Sequence, residues 1–230
     1  MRCAQPFENT PSHCICGSDW SQNHALSCPT GALPTIRHNE VRDLLASLLT
    51  EVTSSVRIEP ALQPLEGEAF RHLSTTRDPN ARLDIQASGF WGGRLESTFF
   101  DVRIFNPNVQ SNLATPVTSL YRQHEQQKCR RYEERVIEVE QASFTPLVFS
   151  VTGGCSRLTS VFLQRLAELM SAKRAQPYSV IMAWLRCRIS FCLLRAAIMC
   201  VRAGRSRVGH YERSREIVPD LACAEAAIDQ

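Results

Sequence analysis

The sequence predicts an α/β fold, a mixed sheet flanked by helices, preceded by a small module with no hydrophobic core of its own. Three observations carry this expectation. Apolar residues recur at helical spacing in several long stretches, four shorter stretches read as strands, and the first 35 residues, rich in Cys, Pro, Ser and Gly, show neither pattern. At 230 residues, 43% hydrophobic and 21% charged, the chain is long enough to bury one sizeable core and too apolar to remain disordered.

The elements follow in order. Pro29, Gly31 and Pro34 read as a linker closing a module over 1–35. From Arg37, the residues Val41, Leu44, Leu45, Leu48, Leu49 and Val52 recur at intervals of three and four, which predicts a helix with Asn39 as its cap. A short strand, VRIEPAL (56–62), is ended by proline, and 63–80 reads as a polar loop. ARLDIQA (81–87) and STFFDVRIF (97–105) read as strands joined by a tight hairpin at SGFWGG. A long polar helix over 118–141 follows, then the strand SFTPLVFSVTG, then helices over about 156–174 and 178–203. The main domain is therefore expected over 36–204, with a frayed tail over 205–230.

The N-terminal module needs a staple other than a core. CICGSDWSQNHALSC supplies Cys14, Cys16, His24 and Cys28, a spacing of C-x-C-x7-H-x3-C. Three thiolates and one imidazole close a tetrahedral Zn2+ site, and a glycine directly after the second cysteine lets the chain turn around the ion. Cys3 and His13 are alternative ligands. A closed set leaves no open coordination position, so the metal is expected to be structural.

The two central strands each contain an acid. Alternation along a strand places Arg82, Asp84 and Gln86 on one face, with Leu83 and Ile85 on the other. In the next strand Asp101, Arg103 and Phe105 oppose Phe100, Val102 and Ile104. Paired strands thus bring Asp84 and Asp101 together, and two carboxylates held close call for a hard divalent cation, Mg2+ or Mn2+, which polarises a phosphate and activates a water. On the following helix Tyr121, Glu125, Lys128 and Tyr132 share a face, and Lys128 is one of only two lysines in the chain. Its ammonium is expected to stabilise charge developing on a phosphoryl group.

An acid in one strand and Asp-Val-Arg in the next, within this order of elements, resembles the PD-(D/E)XK restriction-endonuclease-like superfamily. The Cys-Cys-His-Cys knuckle followed by RHNEVRDLLASLL, RLD and the long helix resembles more closely the C-terminal end of reverse transcriptases from non-LTR retrotransposons, over roughly 14–200. The resemblance implies a DNA endonuclease whose metal is held by Asp84 and Asp101, with a glutamate from the first helix matching Glu40. The family's lysine stands two residues after the second acid, where this chain has Arg103; in some relatives it has moved to the next helix, where Lys128 lies. No Tyr-x-Asp-Asp polymerase motif occurs, so the polymerase part of such an element is a partner rather than a property of this chain. A catalytically inactive nucleic-acid-binding remnant is the alternative the same residues allow.

Charge and targeting signals bear on partners. All but Lys128 and Lys173 of the 26 basic residues are Arg, the residue that forks to phosphate oxygens, which suits DNA or RNA. Arg186, Arg188, Arg195, Arg202, Arg205 and Arg207 form a candidate phosphate-contacting strip. The turn VTGGCSR around Cys155 reads as a helix-capping loop. The apolar stretch 180–201 is interrupted by three arginines, which excludes a membrane span, and the N-terminus lacks an apolar signal run. A nuclear or cytoplasmic, non-secreted protein with reduced thiols is expected.

Overall fold

A computed structural model describes residues 11–93 and 96–203. After a four-residue helical turn, α1 (Gln22–Ala25), the elements run α2 (Leu33–Val52), β1 (Ser55–Ile58), β2 (Ile85–Ser88), β3 (Ser97–Phe105), α3 (Val117–Glu138), β4 (Ser143–Ser150), α4 (Arg157–Arg174) and α5 (Tyr178–Ala203). The strands form one sheet in the order β1-β2-β3-β4, with β1/β2 and β2/β3 antiparallel and β3/β4 parallel. The mixed α/β architecture is the one the sequence predicts. The parallel β3–β4 pair requires a crossover, and α3 supplies it.

Each face of the sheet is covered. Ile85, Ala87, Phe100, Val102, Leu147 and Phe149 pack against α2, α4 and α5 on one side. Phe99 and Phe144 meet Tyr132 and Val136 of α3 on the other, where Phe105 and Val148 pack on Leu120. The alternation expected for β3 holds.

Several boundaries differ from expectation for local physical reasons. Helix α2 begins at Leu33, with Pro34 in its first turn and Ala32 in the left-handed region at φ 55°. Pro34 is therefore a helix starter rather than a linker residue, and Asn39 lies inside the helix instead of capping it. The break expected after residue 35 falls within α2. The connection from β2 to β3 is not a tight hairpin: it buries Phe90 completely against Phe100 and Phe162, at centroid separations of 5.5 and 5.0 Å. Trp91 donates from Nε1 to Thr145 Oγ1 at 3.1 Å, tying the same loop to β4.

A second departure lies in front of β2. The backbone bends at Asp84, so Leu83 and Ile85 do not share a face: Leu83 joins the α3-side cluster and Ile85 the opposite core. Strand alternation holds only while the strand continues, and here it starts at Ile85.

The 63–80 loop is polar but not loose. Arg135 of α3 is fully buried and donates to Thr76 O at 3.2 Å, Asp78 O at 2.8 Å and Gln63 O at 2.9 Å. Glu134, its neighbour, accepts from Arg71 N at 2.6 Å and His72 N at 3.2 Å. The loop's missing secondary structure is thus replaced by side chains of α3.

Among the described residues no helix is long and apolar enough to cross a membrane. Helix α5 packs mainly on α2 and α4, and Phe191 (70% exposed), Leu194 and Ile198 remain on its outer side. The 205–230 tail, Cys3, Arg205 and Arg207 lie outside the described residues.

Arg135→Met keeps the volume and removes three donors from buried carbonyls. A loss of about 3 kcal/mol is expected, read from urea unfolding midpoints, together with new protease cleavage within 63–80 in the folded chain.

Candidate functional site

The N-terminal cluster is built by two local turns. Gly17, at φ 89°, lets Cys14 N reach Ser18 O at 2.8 Å and Gly17 N reach Cys14 O at 2.9 Å, folding the chain back after the second cysteine. Ser21 then caps α1 by accepting from His24 N at 3.0 Å, which turns the imidazole toward the thiols. Cys14 Sγ lies 3.9 Å from Cys28 Sγ, and Cys16 Sγ lies 3.2 Å from His24 Nε2. All four ligand atoms fall within 4.8 Å of one another. Zn–S bonds of about 2.3 Å place two sulfurs of a tetrahedron about 3.8 Å apart, so the donor set fits a metal such as zinc.

Hydrogen bonding from Ser18 lowers the Cys16 thiol to about 6, favouring the thiolate, whereas burial raises that of Cys14. His13, the alternative ligand, instead lies 3.6 Å from Asp19.

The acid pair occupies the opposite end of the same half of the sheet. β2 pairs with β3 from Ile85 and Phe100 onward, and Asp84, directly before that pair, reaches the β3 backbone next to Asp101. Asp84 sits at the bend and uses its carboxylate as a splice: Oδ2 accepts from Val102 N at 2.6 Å and Oδ1 meets His38 Nε2 at 2.9 Å. Asp101 is 5% exposed, and Lys128 of α3 forms an ion pair with its Oδ2. The Lys128 ammonium also stands 5.6 Å from the centre of the Tyr132 ring. Burial raises the Asp101 carboxyl above its ordinary value; Lys128 opposes that rise and the charge of Asp84 adds to it.

The helical row read from the sequence faces the sheet as expected, with each member engaged. Tyr121 donates from its hydroxyl to Ser150 Oγ at 2.9 Å, and Glu125 accepts from Leu158 N at 2.8 Å at the start of α4. Lys128 therefore pairs across to β3 rather than along its own helix with Glu125.

Two expected site residues are elsewhere. Glu40 points to α5, where it pairs with Arg195, and does not join the acids. Arg103 is exposed at the next same-face position of β3, near His124, whose ring is pushed down first by burial and then by that guanidinium. The residue sequence reasoning missed is His38. It lies three residues before Val41 and seven before Leu45, on the stripe of α2 that faces inward, and a lone polar residue on an apolar stripe was the available signal.

Other candidates dissolve into structure. Ser156 caps α4 at Thr159 N, and burial raises the Cys155 thiol, so this turn is a capping loop. The arginine strip is divided: Arg188 stacks on Trp184 at 5.0 Å and Arg195 holds Glu40. No protein-family model matches the chain, and no curated protein is similar to it.

Two measurements bear on these sites. The intact chain is expected to carry one Zn2+ by atomic emission, and Cys28→Ser to carry less than half as much; equal contents would rule the cluster out as the site. For Asp101, a raised folded-state carboxyl means the native chain holds a proton that the unfolded chain has lost. Stability should therefore fall as pH rises from about 3.8 through the higher folded-state value. Asp101→Asn should flatten that part of a pH series of urea midpoints.

Proposed function

We propose that the domain is a metal-dependent phosphodiesterase that nicks DNA, with the PD-(D/E)XK restriction-endonuclease-like site as its nearest chemical analogue. The observation that carries the reading is that Asp84, directly before the Ile85–Phe100 pair of β2 and β3, accepts from Val102 N beside Asp101, next to the only lysine on α3. A buried carboxylate beside a second one is costly unless a cation is near, and Lys128 supplies one by pairing with Asp101 Oδ2. That oxygen, once Lys128 gives way, and the Asp84 carboxylate are the donors that would hold Mg2+ or Mn2+.

The bound ion would supply Lewis acidity toward a phosphate and a water of lowered pKa. The remaining work belongs to the chain. Val102 N–H and His38 orient Asp84 so that its oxygens are not free to turn away. Lys128 balances Asp101 while no other cation does so, and its ammonium is available to a phosphoryl oxygen once Asp101 has another partner. Arg103, exposed two residues beyond Asp101, is placed to hold an adjoining phosphate. Glu40 takes no part in this scheme. His38, from the same helix, instead orients Asp84.

The resemblance to the end of a non-LTR reverse transcriptase supports target DNA as substrate, retrotransposition as setting and the element's polymerase part as partner. It would place the protein in the nucleus or cytoplasm. The closed Cys-Cys-His-Cys set suits a knuckle that binds nucleic acid without catalysing. The alternative, an inactive binding remnant, is favoured by one observation: both carboxylates already have protein partners, and the motif lysine's position holds Arg103.

A supercoiled-plasmid assay with Mg2+ or Mn2+ separates the two. The parent chain is expected to nick, and Asp84→Ala and Asp101→Ala to lose about 100-fold or more, since even outer-shell changes around a metal cost 10 to 100-fold. Equal nicking by all three, or none by the parent, would leave only the binding role.

A further inference from the structure

The metal cluster is bound into the domain at the two elements that carry the acid site. Arg37, 4% exposed, donates from Nη1 to Leu26 O at 2.8 Å. Asn106, 6% exposed, donates from Nδ2 to Asn23 O at 3.2 Å and to Ser27 Oγ at 3.1 Å. Two of the three acceptors, on Leu26 and Ser27, lie between the ligands His24 and Cys28, and the third, on Asn23, directly precedes His24. Arg37 immediately precedes His38, whose ring holds Asp84. Asn106 immediately follows β3, which carries Asp101. Ala25, Leu26 and Leu33 pack on Val151, Cys200 and Val201 to close the same junction.

A four-residue helix has too few internal hydrogen bonds to hold its own shape. Besides its few backbone bonds and the packing of Ala25 and Leu26, the path of residues 24–28 is held at its ends, one a metal-ligand histidine and the other a metal-ligand cysteine. With the ion removed, the ends are no longer tied together, and the acceptors of Arg37 and Asn106 lose their fixed positions. Both donors are buried, so neither finds water as a ready substitute.

We propose that Arg37 and Asn106 are positioning residues through which the metal in the Cys14, Cys16, His24 and Cys28 cluster sets the placement of His38 and Asp84 relative to Asp101. The knuckle is then a part of the acid site's scaffold as well as a module beside it. The inference rests on the reading of the acid pair as a divalent-cation site, and the test separates the two.

The full chain is prepared zinc-loaded, zinc-stripped, and as zinc-loaded Asn106→Ala, Arg37→Met and Arg37→Lys. Mn2+ binding is followed by electron paramagnetic resonance, with Asp101→Asn defining the fraction bound at the acids. Stripping, Asn106→Ala and Arg37→Met should each weaken that fraction about tenfold, while Arg37→Lys recovers part of it and every loaded variant keeps one zinc. In parallel, hydrogen exchange is measured at the Val102 amide, which Asp84 holds, against α4 amides as a reference for global unfolding. Faster exchange at Val102 with α4 unchanged is the expected result of both stripping and Asn106→Ala.

Mn2+ affinity and Val102 exchange that are both indifferent to zinc and to Asn106 would overturn the coupling. If the loaded parent binds no Mn2+ that Asp101→Asn removes, the proposed reaction fails. Exchange at Val102 then decides the coupling alone, faster supporting it and unchanged overturning it.

Discussion

The arrangement of this domain turns on one buried carboxylate. Asp101 is in the longest strand of the sheet, flanked by Phe100 and Val102, whose side chains are in the opposite core. A charge there must be matched by something, and three separate elements meet around it, not all of them in its favour. α3 brings Lys128, β2 brings Asp84 at the point where its ladder begins, and α2 brings His38 to the far side of Asp84. Asp84 adds a second negative charge, which with burial raises the Asp101 carboxyl against the pull of Lys128.

The fold supports this group by making its neighbours immobile. The parallel β3–β4 pair fixes α3 as the crossover, and Tyr132, Val136 and Leu120 lock the helix to the sheet, so Lys128 approaches Asp101 from a defined height. Arg135, one face further round α3, holds the loop that leads from β1 back to Asp84. A loop without secondary structure thus enters the site with its carbonyls already engaged. Phe90 does similar work at the other end of β2, where burial of an aromatic ring replaces turn geometry as the constraint on the connection.

Much of this was legible in the residues, and the misses have a common cause. Periodicity located α2, α3, α4 and α5 and the faces of β3, because in each the pattern repeats over enough residues to average out local exceptions. The spacing of Cys14, Cys16, His24 and Cys28 identified the cluster, since ligand chemistry is specific to those types. What failed was decided by single contacts. Leu83 changed sides because the chain bends at one residue; SGFWGG looked like a hairpin turn because glycine frequency says nothing about where Phe90 goes; Glu40 lost its expected place to Arg195 from a helix more than 150 positions downstream. His38 was passed over in favour of Glu40 although both stand in the same motif, because a motif match records position and not the direction of a side chain.

The choice of lysine at position 128 is itself informative. In a chain whose other basic residues are arginine with one exception, an ammonium has been kept where a cation must lie between a buried carboxylate and the Tyr132 ring. Arg131, the nearby guanidinium, stacks over that same ring at 5.3 Å but from the exposed side. A guanidinium needs room for a planar fork and tends to grip a carboxylate at two points, whereas an ammonium on a flexible stem makes one point contact that can be surrendered. A purely structural partner for Asp101 would gain from the fork. A group that exchanges Asp101 for a phosphate oxygen, as the proposed reaction requires, gains from the point contact that an ammonium makes.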